Sequence, residues 1–289
     1  MTETANGDGG EEDGGGLFAI SDLHISYPEN REYVENLRPD SPADWLIVAG
    51  DVAERFLDIA WALHTLRSKY AKVIWVPGNH ELWTPKGDQV QSRGEQRYRQ
   101  LVELCRKLDV LTPEDPFPVW PGADADSGIV IAPLFVLYDY TFRPPGANST
   151  DDGLAAAARA GVMASDEAML HPDPHPSREQ WCEERVAESE RRLAARREGL
   201  PTVLVNHFPL TEEPTRALRF PEFAQWCGTT RTADWHKRFD AQAVVYGHLH
   251  IPRTTHEDGV RFEEVSLGYP REWSRRGPAP SPRRILPAA

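Results

Sequence analysis

The stretch VVYGHLHIP, residues 244–252, runs an apolar segment into Gly247 and then delivers His248 and His250 one residue apart. A run this short, rich in β-branched residues and closed by glycine, reads as a buried strand turning into a loop. In extended chain alternate side chains share a side, so the two imidazoles can aim at one point. Neutral imidazole is the commonest protein ligand for a metal. An isolated H-x-H is more often an ordinary loop pair, so the reading depends on partners supplied from elsewhere.

Similar apolar runs occur at 17–20, 45–49, 73–76, 129–132, 202–205 and 243–246. Five of these six deliver polar groups as they end. LFAISDLH gives Asp22 and His24, WLIVAGD gives Gly50 and Asp51, VIWVPGNHE gives Gly78, Asn79, His80 and Glu81, and TVLVNH gives Asn206 and His207. Open α/β sheets place their ligands at the carboxyl ends of strands. Singly, Asp-x-His or Gly-Asp is a common turn. Five such motifs in succession, holding five of the ten histidines, point instead to a hydrolytic metal centre.

Seven groups are on offer as ligands: Asp22, His24, Asp51, Asn79, His207, His248 and His250. One ion uses only three or four protein ligands, and a carboxylate can bridge two. The set therefore suits a pair of ions, the clamp used for in-line displacement at phosphorus. Nitrogen and oxygen donors without thiolate suit Mn, Fe or Zn, divalent or trivalent.

Between the strand runs lie helical patterns. Ile59, Leu63, Leu66 and Tyr70 step by four, three and four, and Leu101, Leu104, Cys105 and Leu108 do likewise. Strand–helix alternation in the first half predicts right-handed crossovers and a parallel α/β core. The alternating GVRFEEVSLGYP, residues 259–270, adds antiparallel edges, hence a mixed sheet or a two-sheet sandwich. Turn-rich residues 141–180 and an arginine-bearing helix over 180–198 read as an insertion or cap, because the strand pattern resumes at Thr202.

The expected organisation is an acidic disordered tail over 1–16, one domain over 17–270 with the insertion at 141–198, and a loosely attached basic, proline-rich tail over 271–289. The first segment carries five acids and no apolar core, so it is not read as a secretory signal. No apolar run approaches the ~20 residues of a membrane span. Three scattered cysteines argue against a disulfide framework and for a reducing cytoplasm. A net charge of −13 argues against general nucleic-acid binding. Oligomeric state is not legible.

The order D-x-H, G-D, G-N-H-E, H, G-H-x-H resembles the calcineurin-like metallophosphoesterase family, over about residues 17–269. The resemblance implies a sandwich of two mixed β-sheets flanked by helices. It also implies that Asp22, His24, Asp51 and His250 hold one metal, and that Asp51 bridges to a second held by Asn79, His207 and His248. His80 would protonate the leaving oxygen. GDVAERF departs from the GDxVDRG of the protein Ser/Thr phosphatases of this superfamily, and Glu54 stands where purple acid phosphatases have a tyrosine. Where related enzymes use an Asp to orient the acid histidine, Glu54 is the candidate.

Four longer stretches are similar to the branch that removes 4′-phosphopantetheine from acyl carrier proteins: DWLIVAGDVAER, KVIWVPGNHELW, PEFAQWCGTTRTADWH and GHLHIPRTTHEDGVRFEEVSLGYPREW. The implied partner is an acidic carrier protein. Trp83, Trp226, Arg231, Trp235 and His236 are a candidate substrate wall, and the tryptophans read equally well as core packing. Arg185, Arg191, Arg192, Arg196 and Arg197 form a candidate basic docking face, although interleaved glutamates favour an ordinary salt-bridged helix. A phosphatase or phosphodiesterase acting on small phosphorylated metabolites or nucleotides fits the same ligands. A non-catalytic binding protein has no need of His80.

Overall fold

Each of the six apolar runs forms a strand, and strand alternation sorts its side chains into two layers. The computed structural model describes residues 15–121 and 127–287, so nearly all of the acidic tail expected over 1–16 lies outside the described residues. One sheet contains β1 (Leu17–Ile20), β2 (Trp45–Val48), β3 (Lys72–Trp75), β4 (Val110–Leu111) and β11 (Arg283–Leu286), in the order β11-β1-β2-β3-β4. The other contains β5 (Val119–Pro121), β6 (Gly128–Pro133), β7 (Thr202–Val205), β8 (Ala241–Tyr246), β9 (Arg253–Glu257) and β10 (Val260–Glu264), in the order β5-β6-β7-β8-β10-β9. The inner pairs are parallel, and β11, β5 and β9 run antiparallel at the edges. This is the expected sandwich of two mixed sheets.

Leu17, Ala19, Ile47, Ile74, Ile131, Val203, Val205, Ala243 and Val245 join in one cluster drawn from both sheets. Their neighbours Phe18, Ile20, Leu46, Val48, Val73 and Trp75 join a second, helix-covered cluster. Strands buried on both faces carry continuous apolar runs, which is why they were legible. The flanking helices are α1 (Pro28–Asn36), α2 (Phe56–Arg67), α3 (Asn79–Leu82), α4 (Gly94–Lys107), α5 (Thr150–Arg159), α6 (Asp166–Met169), α7 (Arg178–Ala194), α8 (Trp235–Arg238) and α9 (Pro270–Arg276). Helix α2 buries Ile59, Ala62, Leu63 and Leu66, as its spacing requires. Helix α7 begins two residues before the expected 180–198 span, where Ser177 Oγ accepts from the Gln180 N–H.

The C-terminal segment differs from the loose tail expected. Strand β11 adds to the edge of β1, and Ile285 and Leu286 enter the layer between the sheets. Four prolines and five arginines over 271–289 disguised it, because only two of the strand's four side chains are buried. No described helix is long and apolar enough to cross a membrane.

If β11 is an integral strand, Ile285→Ala should cost about 2–5 kcal/mol, the usual range for such a buried truncation. Denaturant unfolding measures it. An unchanged midpoint would return the segment to the status of a loose tail.

Candidate metal centre

Strands β1, β2 and β3 of one sheet and β7 and β8 of the other end on the same side, and a bridge between Ser21 and Ser266 joins the sheets there. Asp22, His24, Asp51, Asn79, His207, His248 and His250 converge at these ends. Asp22 Oδ1 lies 3.0 Å from His250 Nε2 and 3.9 Å from His24 Nε2, and the two imidazole nitrogens are 3.2 Å apart. Asp51 Oδ2 lies 3.4 Å from His207 Nε2. Three overlapping groups form here, Asp22–His24–His250, His24–Asp51–His80 and Asp51–His207–His248, each with donor atoms close enough to hold an ion.

The backbone is strained to achieve this. Asp22, His24, Asp51, His248 and His250 all have positive φ, between 40° and 69°. Such left-handed conformations cost of order 1–3 kcal/mol each and gather at functional sites. Two glycines make the approach possible. A Cβ on Gly78 would stand 2.1 Å from Asp51 Oδ1, and one on Gly247 would stand 2.3 Å from Asp22 Oδ2.

Around the donors is a ring of fixed partners. His207 Nδ1 donates to the Ala49 carbonyl at 2.8 Å, turning Nε2 inward, and His250 Nδ1 meets Glu272 at 2.7 Å. The Glu81 carboxylate accepts the N–H groups of Asp51, Val52 and Gly78, tying the second and third motifs together. Buried Arg97 donates to the carbonyls of Glu81 and Glu54 and pairs with Asp88 at 3.0 Å. Asp22 Oδ2 accepts from Ser21 and Ser266.

The donor atoms that remain argue for metal. Asn79 Oδ1, His207 Nε2 and His248 Nε2 are buried and make no hydrogen bond among the described residues. Unpaired buried polar atoms are costly, so three aimed at one place beside Asp51 need an explanation. A cation held by Asp51, His207 and His248, with Asn79 beside them, would supply it. Burial holds His24 and His248 in the neutral, ligating form, down to about 3. Burial alone would raise Asp51, but His207 and His80 hold its carboxyl well below the usual carboxylate range.

His80 lies beside this cluster, its Nε2 3.8 Å from Asp51 Oδ2. Its Nδ1 meets Glu54 Oε1 at 2.9 Å, and Ser26 Oγ donates to the other Glu54 oxygen at 2.5 Å. Although burial opposes it, Asp51 and Glu54 lift the His80 pKa above its ordinary value. Trp83 stacks on the ring at 3.8 Å. A cavity of about 560 Å³ opens over Asp51, Asn79, His80, His248 and His250.

Of the expected substrate wall, only Trp83 lines that cavity. Trp226 is buried and donates to Glu167, and Trp235 is buried against Phe239. His236 pairs with Asp258, and Arg231 with Asp139 and Glu183. The segment over 220–239 turns its large rings into the core, leaving Phe220 and Phe223 on the cavity side. The arginines of α7 are also largely engaged: Arg185 pairs with Glu114, Arg191 with Glu188, and Arg192 lies over Phe117. Sequence reading left Glu81, Asp166 and Glu272 without roles: Glu81 stands in the G-N-H-E motif but turns to backbone N–H groups, and Asp166 and Glu272 act through fold contacts outside the motifs.

The family model for calcineurin-like phosphoesterase matches residues 17–252. The chain belongs to that family. It is accordingly a hydrolase of phosphoester bonds. It is 57% identical over 271 residues, 94% of this chain and 83% of the relative, to the [acyl-carrier-protein] phosphodiesterase PptH of Mycobacterium tuberculosis strain ATCC 25618 / H37Rv. The crystal structure of phosphopantetheinyl hydrolase (PptH) from Mycobacterium tuberculosis has a TM-score of 0.91 to this fold, at 57% identity, with 94% of this chain and 96% of that chain covered.

Gly247→Ala should leave the fold intact but displace Asp22, lowering metal retention and activity together. Metal analysis of the folded variant checks this, and normal metal content would contradict the cradle described.

Proposed function

We propose that this hydrolase is a phosphodiesterase that releases 4′-phosphopantetheine from an acyl carrier protein, using two first-row metal ions. The observation that carries the substrate reading is the 57% identity, spread over 94% of the chain, to a phosphodiesterase of acyl carrier protein. Asp22, His24, Asp51 and His250 would hold one ion, and Asp51, Asn79, His207 and His248 the other. Bound there, such a pair polarises phosphoryl oxygens and lowers the pKa of water.

The chain's own residues supply the rest. His80 faces the cavity with Nδ1 committed to Glu54, which leaves Nε2 to carry the proton for the departing serine alkoxide. Glu54 fixes the ring's orientation, Ser26 fixes Glu54, and Trp83 covers one ring face. Val162 to Asp166 of the 141–198 segment form one cavity wall, so we read that segment as a cap over the site. Leu218, Phe220, Phe223 and Ile251 give the cavity an apolar side suited to the pantetheine chain, and Arg219 is its one arginine among the described lining residues. Exposed Met163 and Phe220 stand at this lining, where a protein carrying the diester would meet the enzyme.

Incubation with holo carrier protein, followed by intact mass, tests this reading. The wild type should convert holo to apo carrier. His80→Ala should do so about 10²–10⁴-fold more slowly while keeping its metal, the usual worth of a general acid. Hydrolysis of a simple aryl diester with the holo carrier left untouched favours the small-metabolite reading instead.

A further inference from the structure

Asp166 is a buried carboxylate from the segment between β6 and β7 that reaches into the metal centre. One oxygen, Oδ1, accepts from Asn79 Nδ2 at 2.8 Å and from the Trp83 indole N–H at 2.7 Å. A side-chain amide has two ends, and a strong acceptor at its nitrogen settles which end faces the other way. Here the end left over is Asn79 Oδ1, buried and without a hydrogen-bond partner among the described residues. Trp83 in turn stacks on His80.

The anchoring of Asp166 is itself built. Arg178 Nη2 donates to the Asp166 carbonyl at 2.7 Å, and Arg178 Nε to the Leu170 carbonyl at 2.9 Å. Leu170 also bridges to Trp83. The stretch from Asp166 to Leu170 is therefore held at both its ends.

We propose that Asp166 is a positioning residue, which fixes the Asn79 amide with its oxygen toward the metal and so couples the 141–198 segment to ion binding. This rests on the assignment of Asn79 as a ligand. Partners of this kind typically contribute 10–100-fold to metal affinity.

The test is titration of manganese(II) into the full chain against a competing chelator. Asp166→Ala should weaken the more loosely held ion by about 10–100-fold and leave the other in place. Asp166→Asn retains an acceptor oxygen for both donors and should restore wild-type affinity. Should the alanine variant fail to fold, Asp166→Leu keeps the branched heavy-atom shape and removes the acceptor. A carboxylate that served stability alone would lower the melting temperature without changing affinity in the folded protein, and that result would overturn the proposal. Equal loss in Asp166→Ala and Asp166→Asn would overturn it too. Asn79→Ala separates the two layers of the argument. If it weakens binding and Asp166→Ala does not, Asp166 is not the positioning group and the ligand stands. If neither weakens binding, the ligand assignment falls with it.

Discussion

Two carboxylates, Asp22 and Asp51, are buried side by side at the ends of adjacent parallel strands, and the rest of the centre is organised around holding them there. Buried charge is tolerated only when it is paired, hydrogen-bonded or bound to metal. Each of these carboxylates has imidazoles within 4 Å. Each also lies against a glycine that admits no side chain. The positive φ angles at five of the seven candidate ligands are the conformational cost of this convergence, and the two packed sheets provide the rigidity that sustains it.

Outside the ligands a second ring of groups removes their freedom. Glu81 binds the backbone of two motifs at once, Glu272 faces His250, and Glu54 faces His80. Arg97, fully buried, ties the loops of Glu54 and Glu81 to one guanidinium. None of these residues needs to touch substrate. Glu272 and Glu54 decide which nitrogen of His250 and of His80 points inward, and hence what chemistry those rings can perform. Two of the outer partners, Asp166 and Glu272, come from parts of the chain that look peripheral in the sequence.

The cluster at the strand ends was legible because strand runs and their polar ends are local: an apolar run, a glycine, then a carboxylate or imidazole within three residues. The second ring was not. Asp166 lies 87 residues from Asn79 and Glu272 lies 22 from His250, so nothing in spacing announces their contacts. The aromatic segment over 220–239 was legible as important but not as to direction, since composition does not say which rings turn inward. Trp226 and Trp235 went to the core, and Phe220 and Phe223, less conspicuous in the sequence, faced the cavity. Strand β11 was missed for a related reason. An edge strand with one buried face shows only Ile285 and Leu286 against a background of arginine and proline.

The count of metal ions per chain tests the account most directly. Elemental analysis of the full-length protein after loading with manganese(II) and removal of loosely bound ions should give two per chain, falling to one in His248→Ala. A wild-type value of one or none would contradict the paired arrangement on which everything else here is built.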